Sequence, residues 1–321
     1  MNITLFPPLS IYELGQRTNQ EDAIAQWNNR LFILCDGMGG HERGEVASQT
    51  VCQSLVNWFR TNVNPNEPFS DDQLQAALEN AYAELDRQDD GGMKKMGTTL
   101  TLLYFHRQGA IAAHIGDSRI YHIRPISSPK IGEVRRGLKG EGTVLYQSRD
   151  HSLVFDLYQA GEITFEEMRT SPQKNIITRA MQPGESNRVR ADIVHITNIL
   201  PGDYFYMCSD GMLEQMSNNE LVALLSSDFS DEEKRQQLIS VTANNQDNHS
   251  AWLIHVEEVI LEKGDEELVN EELTARCNAI NIIPQSVPET DDDVVIVKEA
   301  PKKQSFFLNL KHIIRFKKNK K

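Results

Sequence analysis

Leu31-Phe-Ile-Leu-Cys35-Asp36-Gly37-Met38-Gly-Gly-His41-Glu-Arg-Gly44-Glu45 places an apolar run, an acid and a glycine-rich turn one after another. The run Leu31 to Cys35 is short and unbroken, as in a strand buried on both faces, and it delivers the Asp36 carboxylate at its end. The turn spans Gly37 to Gly44. Beyond it Ala47, Val51, Leu55, Trp58 and Phe59 recur at steps of three and four, the spacing of an amphipathic helix. Ser70 with Gln73 forms a capping box that opens a second helix carrying Leu74, Ala77, Leu78, Ala81, Tyr82 and Leu85.

Working outward, Gly97 to Phe105 and Ala110 to Ile115 read as a hairpin about a Gln108-Gly109 turn, and Arg119 to Arg124 extends it. Pro125 to Thr143, rich in Gly, Pro, Lys and Arg, reads as a surface excursion. Leu153 to Gly161 and Phe165 to Met168 are helical candidates. Tyr204 to Cys208 is another apolar run, followed by Asp210-Gly211. Capping boxes at Ser217 with Glu220 and Ser230 with Glu233 open two further helices, and Trp252 to Val256 is a closing strand. Helices and antiparallel strands in blocks predict an α+β layered fold in one domain.

Composition excludes several classes of function. The 321 residues are 39% hydrophobic and 25% charged, and no apolar run is long enough to span a bilayer. Met1 to Ser10 lacks a basic start and is interrupted by Pro7 and Pro8, unlike a secretory signal, so a cytoplasmic location is expected. A net charge of -13 argues against a nucleic-acid surface. Cys35, Cys52, Cys208 and Cys277 have no zinc-ligand spacing, and the position six beyond Cys35 is His41, where a cysteine phosphatase needs Arg. A dinucleotide fingerprint fails at Glu42, and no Lys-Ser or Lys-Thr follows the turn for a P-loop.

A single strand-terminal Asp-Gly is an ordinary turn. Here Asp36-Gly37, Asp210-Gly211 and Asp247-Asn248 each follow or interrupt an apolar segment, and Glu21-Asp22 stands at the end of another. Oxygen-only ligands of this kind suit hard cations such as Mg²⁺ and Mn²⁺. The ordered set Gly15-Gln-Arg17-Thr-Asn-Gln-Glu21-Asp22, Asp36-Gly-Met-Gly-Gly-His-Glu-Arg-Gly-Glu45, Gly97-Thr-Thr99, Gly116-Asp117-Ser-Arg119, Asp150-His-Ser152, Asn175-Ile-Ile-Thr-Arg179-Ala180, Ser209-Asp210-Gly211 and Asp247-Asn248 resembles the PPM family, the type 2C protein phosphatases, in its bacterial branch. The resemblance covers nearly all of residues 11 to 256.

That resemblance implies a four-layer αββα sandwich of two antiparallel sheets flanked by helices, with two cations, Mn²⁺ or Mg²⁺, in a cleft at one end. By motif, Asp36 would bridge both ions, Asp210 and Asp247 would hold the first, and the Gly37 carbonyl would complete the second. Glu21 and Asp22 would act near the second through waters, Arg17 would grip the substrate phosphate, and Asp117 with Asp210 would supply a third ion as in many bacterial members. The implied reaction is hydrolysis of phosphoserine and phosphothreonine on proteins by a metal-activated water, with no phosphoenzyme. Relatives in eukaryotes carry His where this chain has Met38, and Met38 has no proton to give. His41, three residues on, is either a loop residue or the acid for the leaving group. Residues 144 to 180 would form a flap beside the cleft, with Asp150 and His151 fixing the loop.

Two other readings stay open: a pseudophosphatase that binds phosphoproteins without turnover, and a phosphatase of small phosphoesters. The expected partners are phosphorylated proteins and a Ser/Thr protein kinase that makes them, with the chain acting as a monomer. The sequence divides into a phosphatase domain at 1–258, an acidic linker at 259–300 containing Asp291-Asp292-Asp293, and a basic amphipathic tail at 301–321. In the tail Phe306, Phe307, Leu308, Leu310, Ile313, Ile314 and Phe316 alternate with Lys311, Arg315, Lys317, Lys318, Lys320 and Lys321. It would rest weakly on the anionic inner membrane surface, dock on the acidic body of the protein, or stay disordered.

Overall fold

The computed structural model describes residues 1–38, 43–89, 91, 96–126, 140–184, 186 and 188–260. Two six-stranded antiparallel sheets face one another between two pairs of helices. The first sheet holds β1 (Asn2–Leu5), β2 (Leu9–Glu13), β8 (Arg119–Pro125), β9 (Gly142–Gln147), β11 (Tyr204–Cys208) and β12 (His249–Ile260), in the order β1-β12-β11-β8-β9, with β2 also on β12. The second holds β3 (Asp22–Trp27), β4 (Leu31–Met38), β5 (Gly97–Thr98), β6 (Leu100–His106), β7 (Gly109–Ile115) and β10 (Asp192–Ile196), in the order β10-β7-β6-β4-β3, with β5 on β4. Helices α1 (Arg43–Asn62) and α2 (Asp71–Gln88) cover the second sheet, and α5 (Asn218–Leu225) and α6 (Asp231–Thr242) cover the first. Two short helices, α3 (Leu153–Gln159) and α4 (Phe165–Thr170), lie in the flap segment. The αββα sandwich expected from the resemblance is the fold observed.

The alternation of β4 explains why Leu31 to Cys35 is apolar throughout. Leu31, Ile33 and Cys35 face α1 and α2, whereas Phe32 and Leu34 face the other sheet, so both sides of the strand are buried. Between the sheets Phe32, Phe105, Phe205, Met207, Trp252 and Ile254 interdigitate, and each fully buried side chain of this size contributes about 1.5–3 kcal/mol. The indole of Trp252 on β12 also donates from Nε1 to the Ile33 carbonyl on β4 at 3.0 Å, a hydrogen bond from one sheet to the other. A third apolar layer, including Tyr121, Tyr206, Leu221, Leu225 and Leu238, seats α5 and α6.

The capping boxes at Ser70, Ser217 and Ser230 form as expected, and Thr164 with Glu167 adds one at α4. Several strands were not anticipated. β1, β2, β9 and β10 are short and sit at or beside sheet edges, where a half-buried pattern such as that of Asp192–Ile196 has little apolar signal. Asp22 opens β3; the expectation that it ends a segment is corrected, because the apolar residues it belongs with follow it. The surface excursion is shorter than Pro125 to Thr143, since Pro125 ends β8 and Gly142 and Thr143 begin β9 by pairing with it. β12 continues through Val259 and Ile260; the remainder of the linker, the basic tail and His41 lie outside the described residues.

Candidate active site

The sequence-predicted residues come from separate stretches of chain that meet at one end of the sandwich. Asp36 lies near the C-terminal end of β4, and Asp22, at the start of β3, is its cross-strand partner. Asp117 sits in the turn between β7 and β8, Asp210 opens a 3-10 turn directly after β11, and Asp247 precedes β12. Arg17 and Glu21 lie in the loop from β2 to β3. Antiparallel pairing puts the ends of β2, β4, β7 and β11 and the starts of β3, β8 and β12 on the same edge of the two sheets. A cluster distant in sequence is therefore local in space.

Hydrogen bonds hold the backbone of this cluster. Thr99 Oγ1 accepts from the Asp36 amide at 2.9 Å while Thr98 Oγ1 donates to the Asp36 carbonyl at 2.9 Å. The Gly37 amide donates to the Glu21 carbonyl at 3.0 Å, and a Cβ at Gly37 would lie 2.2 Å from the Gly44 carbonyl oxygen, so only glycine fits this crossing. At Gly211 a Cβ would stand 2.0 Å from the Asn248 carbonyl oxygen, a close approach that brings the Asp210 and Asp247 segments together. Arg17 Nη2 reaches Asp247 Oδ2 at 2.7 Å across an exposed pair.

Asn248 does work that its place in a motif did not reveal. Its Oδ1 accepts from the Glu21 amide at 2.8 Å, and its Nδ2 donates to the carbonyls of Leu14 and Asn19 at 2.8 and 3.0 Å. One buried amide thus ties the loop bearing Arg17 and Glu21 to the segment bearing Asp247, just before β12. Ser209 acts similarly, donating to Asp22 Oδ2 at 2.9 Å and accepting from the Ser250 amide at 3.0 Å. The sequence signal for both was adjacency to an acid, which does not distinguish a ligand from a brace.

The electrostatics of the acids point to cations. Burial pushes the Asp22 carboxyl up to about 7, with the charges of Asp210 and Asp247 adding and the Ser209 hydroxyl offsetting part. Burial, then Asp210 and Asp150, pushes Asp117 up to about 8. Asp36 is raised well above the ordinary carboxylate range by burial and by Asp22, Asp210, Asp117 and Asp247, and Asp210 is raised by burial and Asp247. Asp22 Oδ1 and Asp117 Oδ1 are buried without a hydrogen-bond partner among the described residues. Carboxylates crowded out of water, with lone pairs left over, are destabilised together unless positive charge enters among them. An all-oxygen donor set fits divalent Mg²⁺ or Mn²⁺.

The fold and this acid cluster define a metal-dependent hydrolase. The model of the protein phosphatase 2C family matches residues 13–255. Protein phosphatase PhpP of Streptococcus pneumoniae is 35% identical over 256 residues, covering 77% of this chain and 96% of the relative. The serine/threonine phosphatase of S. agalactiae superposes with a TM-score of 0.63 at 32% identity, over 78% of this chain and 99% of that one. The catalytic domain of the serine/threonine protein phosphatase PstP, solved in complex with 2 manganese ions, superposes at 0.62 with 28% identity, over 79% and 99%. The chain belongs to the protein phosphatase 2C family, and it is a metal-dependent phosphoprotein phosphatase.

Proposed function

We propose that the acidic end of the sandwich hydrolyses phosphoserine and phosphothreonine on proteins, and that it opposes a Ser/Thr protein kinase. The observation that carries this reading is the convergence of Asp22, Asp36, Asp117, Asp210 and Asp247 on one end, with the Oδ1 atoms of Asp22 and Asp117 buried and unpartnered among the described residues. Asp36 would be shared by two divalent ions, Asp210 and Asp247 would hold one, and the Gly37 carbonyl, with Glu21 and Asp22 behind it, the other. Asp117 and Asp210 would take a third. Bound there, Mn²⁺ or Mg²⁺ supplies Lewis acidity, making hydroxide available near neutral pH and offsetting charge on the phosphoryl oxygens.

The remaining chemistry belongs to the chain. Arg17 is exposed at the rim, and its planar guanidinium suits bidentate capture of phosphoryl oxygens as charge builds on them. Asp247 holds that guanidinium beside the cluster in the meantime. Thr98, Thr99 and Asn248 keep the carboxylates in place, so little reorganisation accompanies the reaction. Met38 donates no proton to the leaving alkoxide. No metal-binding acid of the motifs is missing, which favours turnover over a binding-only role.

The test compares a phosphothreonine peptide with small metabolite phosphates, in Mn²⁺, in Mg²⁺ and in EDTA. Peptide turnover that needs metal is the expected result; turnover confined to small esters would replace the protein substrate with a metabolite. We place the protein in the cytoplasm as a monomer, with the basic tail giving weak contact to the inner membrane surface. Sedimentation with anionic but not neutral vesicles, lost on truncation at Glu299, checks that placement.

A further inference from the structure

His114, His151 and Asp192 bring three metal-type side chains within 4.8 Å of one another, apart from the acids described above. His114 alone would suit an ion: its Nε2 lies 2.7 Å from the Arg149 carbonyl and therefore carries the proton, leaving a buried Nδ1 lone pair with no partner among the described residues. His151 does not. The Gly116 amide donates to His151 Nδ1 at 3.0 Å, so in the neutral ring the proton sits on Nε2, directed at Asp192 Oδ2 3.2 Å away. Arg179 Nη1 already stands 3.0 Å from Asp192 Oδ1 and 3.4 Å from His151 Nε2. A guanidinium fills the position a cation would take.

The same contacts have another consequence. His151 meets Gly116 twice, through the ring and through its own amide, which donates to the Gly116 carbonyl at 3.0 Å. Gly116 has φ +105, and a Cβ there would lie 2.6 Å from Thr99 Cγ2, so this turn passes close beside the threonine that binds the Asp36 amide, where only glycine fits. The next residue is Asp117. On its other side His151 belongs to the root of the flap: its carbonyl accepts from the Thr178 amide at 2.8 Å, and Ser152 bridges to Ile177. Stacking on His114 at 4.7 Å and the bond to Asp192 leave the ring little freedom to turn.

We propose that His151, oriented by Asp192, is a positioning residue that sets the Gly116-Asp117 turn and so couples the flap root to the Asp117 carboxylate. The coupling rests on the assignment of Asp117 to the reaction given under Proposed function. The acceptor at Nδ1 is the essential feature. Asparagine offers Oδ1 in nearly the same place, whereas alanine offers nothing.

The experiment uses the full chain with Mg²⁺. Ring ¹⁵N shifts of His151 should report the tautomer protonated on Nε2, and the Gly116 amide should be protected from exchange. His151→Ala should speed Gly116 exchange by about ten-fold, the loss of one hydrogen bond. It should lower kcat on a phosphopeptide by about ten-fold while moving KM less than about two-fold. His151→Asn should recover both, and His151→Ala combined with Asp117→Ala should be no slower than Asp117→Ala alone. A ring protonated on Nδ1 overturns the proposal, and this reads on the parent protein even where a variant does not fold. Multiplying effects in the double variant, no recovery with asparagine, or a lowered melting temperature with kcat and Gly116 exchange unchanged also overturn it. If Asp117→Ala turns over as the parent does, the assignment of Asp117 fails, and the latch is judged on the tautomer and the Gly116 amide.

Discussion

Asn248→Asp changes no volume and replaces a donor with an acceptor, which makes it a sharp probe of how the site is assembled. The new side chain keeps Oδ1 facing the Glu21 amide but loses the two N–H groups that serve the Leu14 and Asn19 carbonyls. Two lost bonds cost about 2 kcal/mol, and a carboxylate oxygen set against two carbonyls in a residue only 4% exposed adds about 1–3 kcal/mol more. The sum, about 3–5 kcal/mol, is a large part of the roughly 5–15 kcal/mol typical of a folded protein. Urea denaturation should show it as a lower midpoint at unchanged slope. Because the freed loop carries Arg17 and Glu21, kcat/KM should also fall by at least about ten-fold at a temperature where the variant is folded. A variant within about 0.5 kcal/mol of the parent and with parental kcat/KM would refute the claim that this amide ties the two segments together.

Activity should vanish in excess EDTA and return with Mn²⁺ or Mg²⁺, and Asp36→Asn should stay inactive with either ion; turnover in EDTA would remove metal from the mechanism. In EDTA the same Asp36→Asn substitution should raise the melting temperature, since it relieves repulsion among Asp22, Asp36, Asp117, Asp210 and Asp247, and a lower value would contradict the crowding. Burial alone would raise the Asp203 carboxyl, but hydrogen bonds from Arg124 and His122, the charge of His122 and the Leu200 amide hold it below the ordinary range. Its contribution to stability is thus complete above the unfolded value of about 4 and is lost as pH falls below that. The stability gap between the parent and Asp203→Asn, measured by urea titration, should be present at pH 5 and shrink toward pH 3. Trp252→Phe should cost about 1–3 kcal/mol, because it removes the indole's bond to the Ile33 carbonyl and leaves a smaller ring between the sheets; denaturation of the variant checks it.

How much of this was legible depended on whether a feature announces itself locally. The paired apolar runs that end in Asp36 and precede Asp210 are local, as are the serine capping boxes, and these placed the central strands and most helices. The edge strands β9 and β10 owe their existence to hydrogen bonds with β8 and β7, which no pattern within them encodes. In the site, the motifs identified the acids, yet the braces Asn248, Ser209 and Thr99 are defined by partners far away in the chain. Asp150 and His151 were expected to fix the flap loop, and their bonds to Arg119 and Gly116 do so. The direction of that bracing, from the flap toward Asp117, required coordinates.

The strand order has a consequence for how the chain is made. β1 and β2 are synthesised before every other described strand and, among the described residues, pair only with β12, the last of them. At roughly 5–20 residues per second, tens of seconds separate the two ends. Throughout that interval two strands with open edges wait for a partner that does not yet exist, while the β3 to β7 part of the other sheet can already be pairing. Asp247 and Asn248 arrive with the same late segment. A nascent or prematurely terminated chain therefore lacks both a completed first sheet and the segment that carries Asp247 and Asn248.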